Sequence, residues 1–167
     1  MRPHIIFNHG KESGPMGTKI KALGEVADGL SFSWESIDYR GIDDPEIRSE
    51  KLVDKVKSLD KSVLLVGSSM GAYVSLRANQ RVEASGLFLM APAVYMPGYD
   101  ATEILPKCER TLVIHGWQDD IVPVKNAIQL ASKSHCELVI LNDDHVLSGS
   151  LEQLRRLFTQ FLNEVNG

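Results

Sequence analysis

S-V-L-L-V-G-S-S-M-G-A-Y-V-S-L-R-A, residues 62–78, is the stretch whose reading decides the fold. Its opening apolar run has strand length, and the run from Ala72 onward is compatible with a helix. Only Gly67-Ser68-Ser69-Met70-Gly71 lies between them. A strand that reverses directly into a helix forces the central residue, Ser69, into strained backbone geometry, and a Cβ two positions either side would crowd the turn. The glycines at 67 and 71 are therefore what such a turn requires. The apolar run does not alternate, which is the pattern of a strand covered on both faces and so of a parallel sheet flanked by helices.

The same grammar extends in both directions. Short apolar runs recur at 5–7, 86–90, 111–116 and 138–142, each followed by turn residues. A further run at 31–39, S-F-S-W-E-S-I-D-Y, alternates and is expected nearer a sheet edge. Between the runs lie amphipathic segments: Met16, Ile20, Leu23 and Val26 recur at helical spacing, as do Val53, Val56 and Leu59 after the helix-opening pair Asp44-Pro45. The last segment carries the apolar stripe Leu151, Leu154, Leu157, Phe158, Phe161, Leu162 and Val165, with Ser150 and Gln153 spaced as a capping box. Alternating β and α elements in so short a chain predict an α/β fold. We expect an open, doubly wound, mostly parallel sheet of about six strands with helices on both faces, because a closed eight-stranded barrel takes about 250 residues.

Composition bounds the rest. The chain has 167 residues, of which 43% are hydrophobic and 24% charged, values of an ordinary globular protein with one core. A single domain over 1–167 is expected. The net charge of −4 and the lack of a basic block argue against nucleic acid as a partner. No apolar stretch approaches 18 residues, and the N-terminus has no signal-peptide core, so a cytoplasmic protein without membrane attachment is expected. Cys108 and Cys136 do not form a C-x-x-C pair and read as reduced thiols. Composition leaves the oligomeric state open.

In an open α/β sheet, ligands sit at the carboxyl ends of the strands. There Ser69 would stand at a helix N-terminus, where free N–H groups favour a developing oxyanion. A dinucleotide-binding turn fits the same residues poorly, since that turn follows the first strand and continues with a further glycine, whereas Tyr73 and Val74 follow here. Gly10-Lys11-Glu12-Ser13 imitates a phosphate loop, but Glu12 replaces the Ser or Thr and Ile5 stands where the leading Gly belongs.

Four motifs together resemble the α/β-hydrolase superfamily, and the resemblance runs from His4 to the C-terminal helix. Asn8-His9-Gly10 is similar to that family's His-Gly loop, Gly67 to Gly71 to its nucleophile elbow, and His115-Gly116-Trp117-Gln118-Asp119-Asp120-Ile121-Val122-Pro123 to its acid loop. Asp144-His145 occupies the place of its histidine, before the last helix. The resemblance implies a small, lidless serine hydrolase with Ser69 as nucleophile, His145 as base and Asp119 as the orienting acid, and Ser, Asp, His is the chain order of this fold. It also implies an oxyanion hole from the backbone N–H groups of Lys11 and Met70. Asp120 is the rival to Asp119, and is expected to serve the turn instead.

A serine hydroxyl needs an adjacent imidazole to take its proton, and that imidazole needs a carboxylate to fix its tautomer. Such a set cleaves a carboxylic ester or thioester through an acyl-enzyme, on a small-molecule acyl substrate and with no metal or organic cofactor. Its rate is expected to rise with pH along one ionisation near the imidazole reference value of about 6.5. An acyltransferase shares the first half-reaction, and a non-catalytic interaction module would have no need of all three residues. Tyr95, Met96, Pro97 and Tyr99, with Trp117, are candidates for an apolar substrate wall, or equally for cover on the sheet edge. His9 and His115 are expected to be structural, His4 and His135 to lie at the surface or at strand ends, and Asp143 and Asp144 to make turns or caps.

Overall fold

A computed structural model describes residues 1–100 and 103–167. Among these, the apolar runs form β1 (His4–Asn8), β2 (Trp34–Ile37), β3 (Val63–Ser68), β4 (Gly86–Met90), β5 (Thr111–Gly116) and β6 (Glu137–Leu141). All pair in parallel, in the spatial order β2-β1-β3-β4-β5-β6. The alternating run is β2, one of the two edge strands; the other, β6, is an apolar run left only partly buried at the opposite edge. The fully apolar runs β1, β3, β4 and β5 are buried along nearly their whole length, as strands covered on both faces must be.

The helices are α1 (Thr18–Gly29), α2 (Pro45–Lys57), α3 (Met70–Ala78), α4 (Val124–Ser134) and α5 (Leu151–Asn166). The chain runs one way from β1 to β2, then reverses and builds outward from β3 to β6. Right-handed crossovers taken in opposite directions leave their helices on opposite faces. One face accordingly packs Leu52 and Val53 of α2, Val74 of α3 and Ala127 and Leu130 of α4 against Ile6, Leu65, Leu89 and Val113. The other packs Ile20 and Leu23 of α1 and Leu154, Phe158 and Leu162 of α5 against Ile5, Phe7, Leu64, Val66 and Phe88. Each fully buried Leu or Phe on these helices contributes about 1.5–3 kcal/mol, which fixes the helices that carry the loops. The reversal puts a switch point between β1 and β3, and the crevice at their carboxyl ends is where this architecture binds ligands.

Two local expectations are corrected. Met16 precedes α1 and is exposed, since the helix begins only at Thr18. Ser150 does not close a capping box with Gln153: its hydroxyl donates to Asp143 Oδ2 at 2.7 Å, because a short 3-10 turn over Ser148–Ser150 aims it back at the preceding loop. Asp44 does cap α2, accepting from Glu46 N and Ile47 N. Among the described residues no helix is long and apolar enough to cross a membrane.

Candidate active site

The turn after β3 explains its own composition. Ser69 holds φ 55° and ψ −118°, a region nearly closed to L-residues. A Cβ on Gly67 would fall 2.3 Å from the Gly71 carbonyl oxygen, and one on Gly71 would fall 1.9 Å from the Asn8 carbonyl oxygen. The elbow is thus pressed against both its own helix and the end of β1. Ser69 N donates to Met90 O at 2.9 Å, and Ser69 O accepts from Ala93 N at 3.2 Å, so the loop leaving β4 braces the turn.

Three loops converge on this serine. The Ser69 hydroxyl lies 2.9 Å from His145 Nε2, and His145 Nδ1 donates to Asp119 Oδ2 at 2.7 Å. With the Nδ1 proton committed to the carboxylate, Nε2 is left as the acceptor facing Ser69. The Asp119 side chain is fully buried and that of His145 nearly so, at 0% and 16% exposure. The residues expected from the sequence to form a triad, Ser69, Asp119 and His145, are brought together across 76 and 26 positions of chain.

Asp119 does more than face His145. Its other oxygen accepts from Ile121 N at 2.9 Å and Val122 N at 2.7 Å, so it builds the turn assigned in advance to Asp120. Asp120 is exposed, because the loop turns it outward while Asp119 points in. His115, fully buried at the end of β5, donates from Nε2 to Val122 O at 2.9 Å and lies 3.1 Å from Asp119 Oδ2. It is structural as expected, yet it also touches the acid, which the sequence reading missed. Its placement four residues before Asp119 is the signal that was available.

The histidine loop is held in the same way. Asp144 Oδ1 accepts from Val146 N at 2.9 Å, and Asp143 Oδ1 from Asp144 N at 2.8 Å, the turn roles expected of them. Burial pushes the Asp143 carboxyl up, but bonds from Ser150 and from the N–H groups of Asp144, Gly149 and Ser150 outweigh it and hold it below the ordinary carboxylate value. Lys19, at the start of α1, donates to Val146 O at 2.7 Å, and burial keeps its ammonium below the ordinary lysine value despite Asp144 and Asp143. Lys19 is a second contributor that the sequence reading missed, 127 positions from its partner.

On the other side of Ser69 lies the loop after β1. Gly10 stands against the elbow: a Cβ there would be 3.4 Å from Ser68 O and 3.5 Å from Ser69 Cβ. Met70 follows the serine in the chain and Lys11 follows Gly10, and among the described residues neither backbone N–H donates to a protein carbonyl. His9 is buried, donates from Nδ1 to Gly10 O at 2.7 Å and accepts at Nε2 from Tyr39 N at 2.9 Å. Burial holds its pKa below the ordinary histidine value. His4, expected near the surface or a strand end, opens β1 but is buried, bonded to Ser33 Oγ and Glu35 Oε1. His135 is exposed and ends α4 in a left-handed conformation.

The candidate wall residues separate. Tyr95 and Met96 are half-buried against the α2–α4 core, with Lys133 Nζ 5.8 Å from the Tyr95 ring centroid and Met96 Sδ 3.6 Å from Asn126 Nδ2. Tyr99 packs edge-on against Tyr73 at 4.7 Å, and Pro97 is exposed. Trp117 stands in solvent on the acid loop, 57% exposed, with Ile121 on the same loop and Val146 beside His145 similarly open. No helix lies in the described part of 91–110. Among the described residues no cluster of three His, Cys, Asp or Glu is placed to hold a metal ion.

Comparison with solved structures agrees with this architecture. A protein from Xanthomonas campestris pv. campestris assigned to the α/β-hydrolase superfamily superposes with a TM-score of 0.91 at 29% identity, covering 98% of this chain and 99% of that one. A serine hydrolase of the same fold without a lid, also from Xanthomonas campestris, gives a TM-score of 0.83 at 20% identity over 96% and 81% of the two chains. An α/β serine hydrolase homologue from Coxiella burnetii gives 0.78 at 22% identity over 95% and 84%. No curated protein matches the sequence. The model of the uncharacterised protein family UPF0227 matches residues 4–100, which hold β1 to β4 and the elbow. The chain therefore belongs to family UPF0227 and, by its fold, to the α/β-hydrolase superfamily.

Proposed function

We propose that this protein hydrolyses carboxylic esters or thioesters through an acyl-enzyme on Ser69. The observation that carries the reading is the unbroken hydrogen-bond path from the Ser69 hydroxyl through His145 to the buried Asp119 carboxylate. In this mechanism His145 Nε2 takes the hydroxyl proton as Oγ attacks the carbonyl, and Asp119 steadies the imidazolium that forms. The Lys11 and Met70 N–H groups receive the oxyanion, a contribution of about 10²- to 10³-fold per donor. His145 then returns the proton to the leaving alcohol or thiol, and water repeats the cycle to release the acid.

The exposed Trp117, Ile121 and Val146 support an apolar group on the substrate, lying on an open surface rather than in a closed tunnel. Short or exposed acyl chains are the expected substrates. Cys108 and Cys136 are unpaired, which supports a reducing, cytoplasmic location. The test is labelling of the folded protein with a fluorophosphonate, mapping of the modified residue, and a panel of p-nitrophenyl esters of increasing chain length. The reading expects the label on Ser69, none on the Ser69→Ala variant, and fastest turnover with short chains. A folded protein that takes no label at Ser69 would overturn it.

A further inference from the structure

Arg48 of α2 is only 1% exposed, yet among the described residues no carboxylate pairs with its guanidinium. Its hydrogen bonds go to backbone carbonyls: Nε donates to Ile42 O at 2.6 Å, and Nη1 to His9 O at 3.1 Å and Gly10 O at 3.3 Å. The guanidinium carbon also lies 5.2 Å from the centroid of the Tyr39 ring. Burying an unneutralised charge is costly, and an apolar side chain of similar volume fills the same space at less expense. Packing alone therefore gives no reason for a cation here.

We infer that Arg48 is a positioning residue for the oxyanion side of the site, holding the Gly10–Lys11 peptide so that the Lys11 N–H faces the carbonyl attacked by Ser69. The inference rests on the ester-hydrolase reading above. The Gly10 carbonyl is caged by three donors, His9 Nδ1 at 2.7 Å, Arg48 Nη1 at 3.3 Å and Ser13 N at 3.4 Å. In a planar trans peptide the N–H points opposite to the C=O, and no peptide bond among the described residues is cis. Caging the Gly10 carbonyl thus turns the Lys11 N–H away from the cage, while Gly10 itself abuts Ser69. The charge acts in the same direction. A guanidinium in a poorly solvated setting polarises the peptide it binds, strengthens the N–H at its far end and attracts the developing oxyanion. The fork matters as well, because Nε on the Ile42 carbonyl and Nη1 on the His9 and Gly10 carbonyls are held in one rigid plane, which a flexible ammonium does not supply.

The experiment compares wild type with Arg48→Met, which loses charge and fork, and Arg48→Lys, which keeps the charge alone. Turnover of a soluble p-nitrophenyl ester, affinity for a trifluoromethyl ketone that forms an oxyanion adduct with serine, and hydrogen exchange of the Lys11 amide are measured at a temperature where all variants are folded. Arg48→Met is expected to lower kcat about 10- to 100-fold with KM within about threefold, and to weaken the ketone by the same factor. Lys11 exchange should quicken, and Arg48→Lys should fall between. If kcat, ketone affinity and Lys11 exchange all match wild type in folded Arg48→Met, the inference is wrong. It is equally wrong if kcat falls only in proportion to the unfolded fraction. Should Arg48→Met not fold, Arg48→Lys decides by the same three readouts. If wild type turns over no ester, the hydrolase reading fails separately. Lys11 exchange then still decides whether Arg48 holds this peptide: quickened exchange upholds the clamp, and unchanged exchange refutes it.

Discussion

Replacing Asp119 by Asn tests the site most sharply, because one buried carboxylate accepts from three donors and lies against His115 as well. Oδ1 accepts from Ile121 N and Val122 N, while Oδ2 meets His145 Nδ1 at 2.7 Å and His115 Nε2 at 3.1 Å. A carboxamide has only one accepting oxygen. If that oxygen keeps the turn, the NH₂ group faces both imidazoles. His145 must then accept at Nδ1 and carry its proton on Nε2, where it no longer takes the proton of Ser69. In the serine-protease precedent such a tautomer change lowers turnover about 10⁴-fold with geometry intact. Stability falls as well. Weakening two charge-assisted bonds costs about 1 kcal/mol each, and the clash with the His115 N–H adds about 1–2 kcal/mol, for roughly 3–4 kcal/mol in all. With 167 residues and about 2.1 cal/mol/K of unfolding entropy per residue, that is a drop in Tm of about 9–11 °C. Asp120→Asn should change neither quantity, since Asp120 is exposed. Ester hydrolysis and thermal melting on the same preparations decide the matter. Asp119→Asn within tenfold of wild-type kcat, or an Asp120→Asn variant that loses turnover, would refute the assignment of the acid.

Three further outcomes follow from the geometry. Gly71→Ala must move backbone, because its Cβ would sit 1.9 Å from Asn8 O, and is expected to cost more than about 3 kcal/mol or leave no soluble protein; Gly29→Ala, with nothing within 4 Å, should be neutral or stabilising by up to about 1 kcal/mol by chemical denaturation. Ser69→Gly relieves the strain at φ 55° and should melt higher than Ser69→Ala by about 1 kcal/mol once the greater freedom of the unfolded glycine is subtracted, so an equal or lower Tm would show that the turn is not strained. Since the folded pKa of His9 lies below its unfolded value, the unfolded chain binds the extra proton. The stability that neutral His9 supports is full above about pH 6.5 and is lost as pH falls from there toward the folded pKa. Protonation would also put a proton on the Nε2 that accepts from Tyr39 N. Denaturation midpoints between pH 7 and pH 5 should fall more steeply in wild type than in His9→Asn, before Glu35 and Asp143, whose folded pKa values are also lowered, begin to lose their share at more acidic pH.

The sequence alone determined what depends on neighbours along the chain. Unbroken apolar runs specified parallel strands, buried in β1, β3, β4 and β5 and half-buried in the edge strand β6, alternation marked β2 as an edge, and Gly67 and Gly71 specified a turn that admits no Cβ at either place, because each follows from local backbone sterics and from burial of one segment. The positions of Ser69, Asp119 and His145 were legible through the resemblance of their motifs to those of the α/β-hydrolase superfamily. What only the tertiary structure decided are partnerships between distant segments: Arg48 with the His9 and Gly10 carbonyls, Lys19 with Val146, His115 with Asp119, and Ser150 with Asp143 in place of its own helix. A buried arginine or a helix-start lysine has the same local signature whether it meets a carboxylate, a carbonyl or water. Which it meets is set by the sheet order, and that order, with its reversal between β1 and β3, brings the loops after β1, β3, β5 and β6 to one edge. The exchange of turn duty from Asp120 to Asp119 has the same origin, since which of two adjacent carboxylates points inward depends on the loop's path over His115 and His145, a contact that residue spacing does not encode.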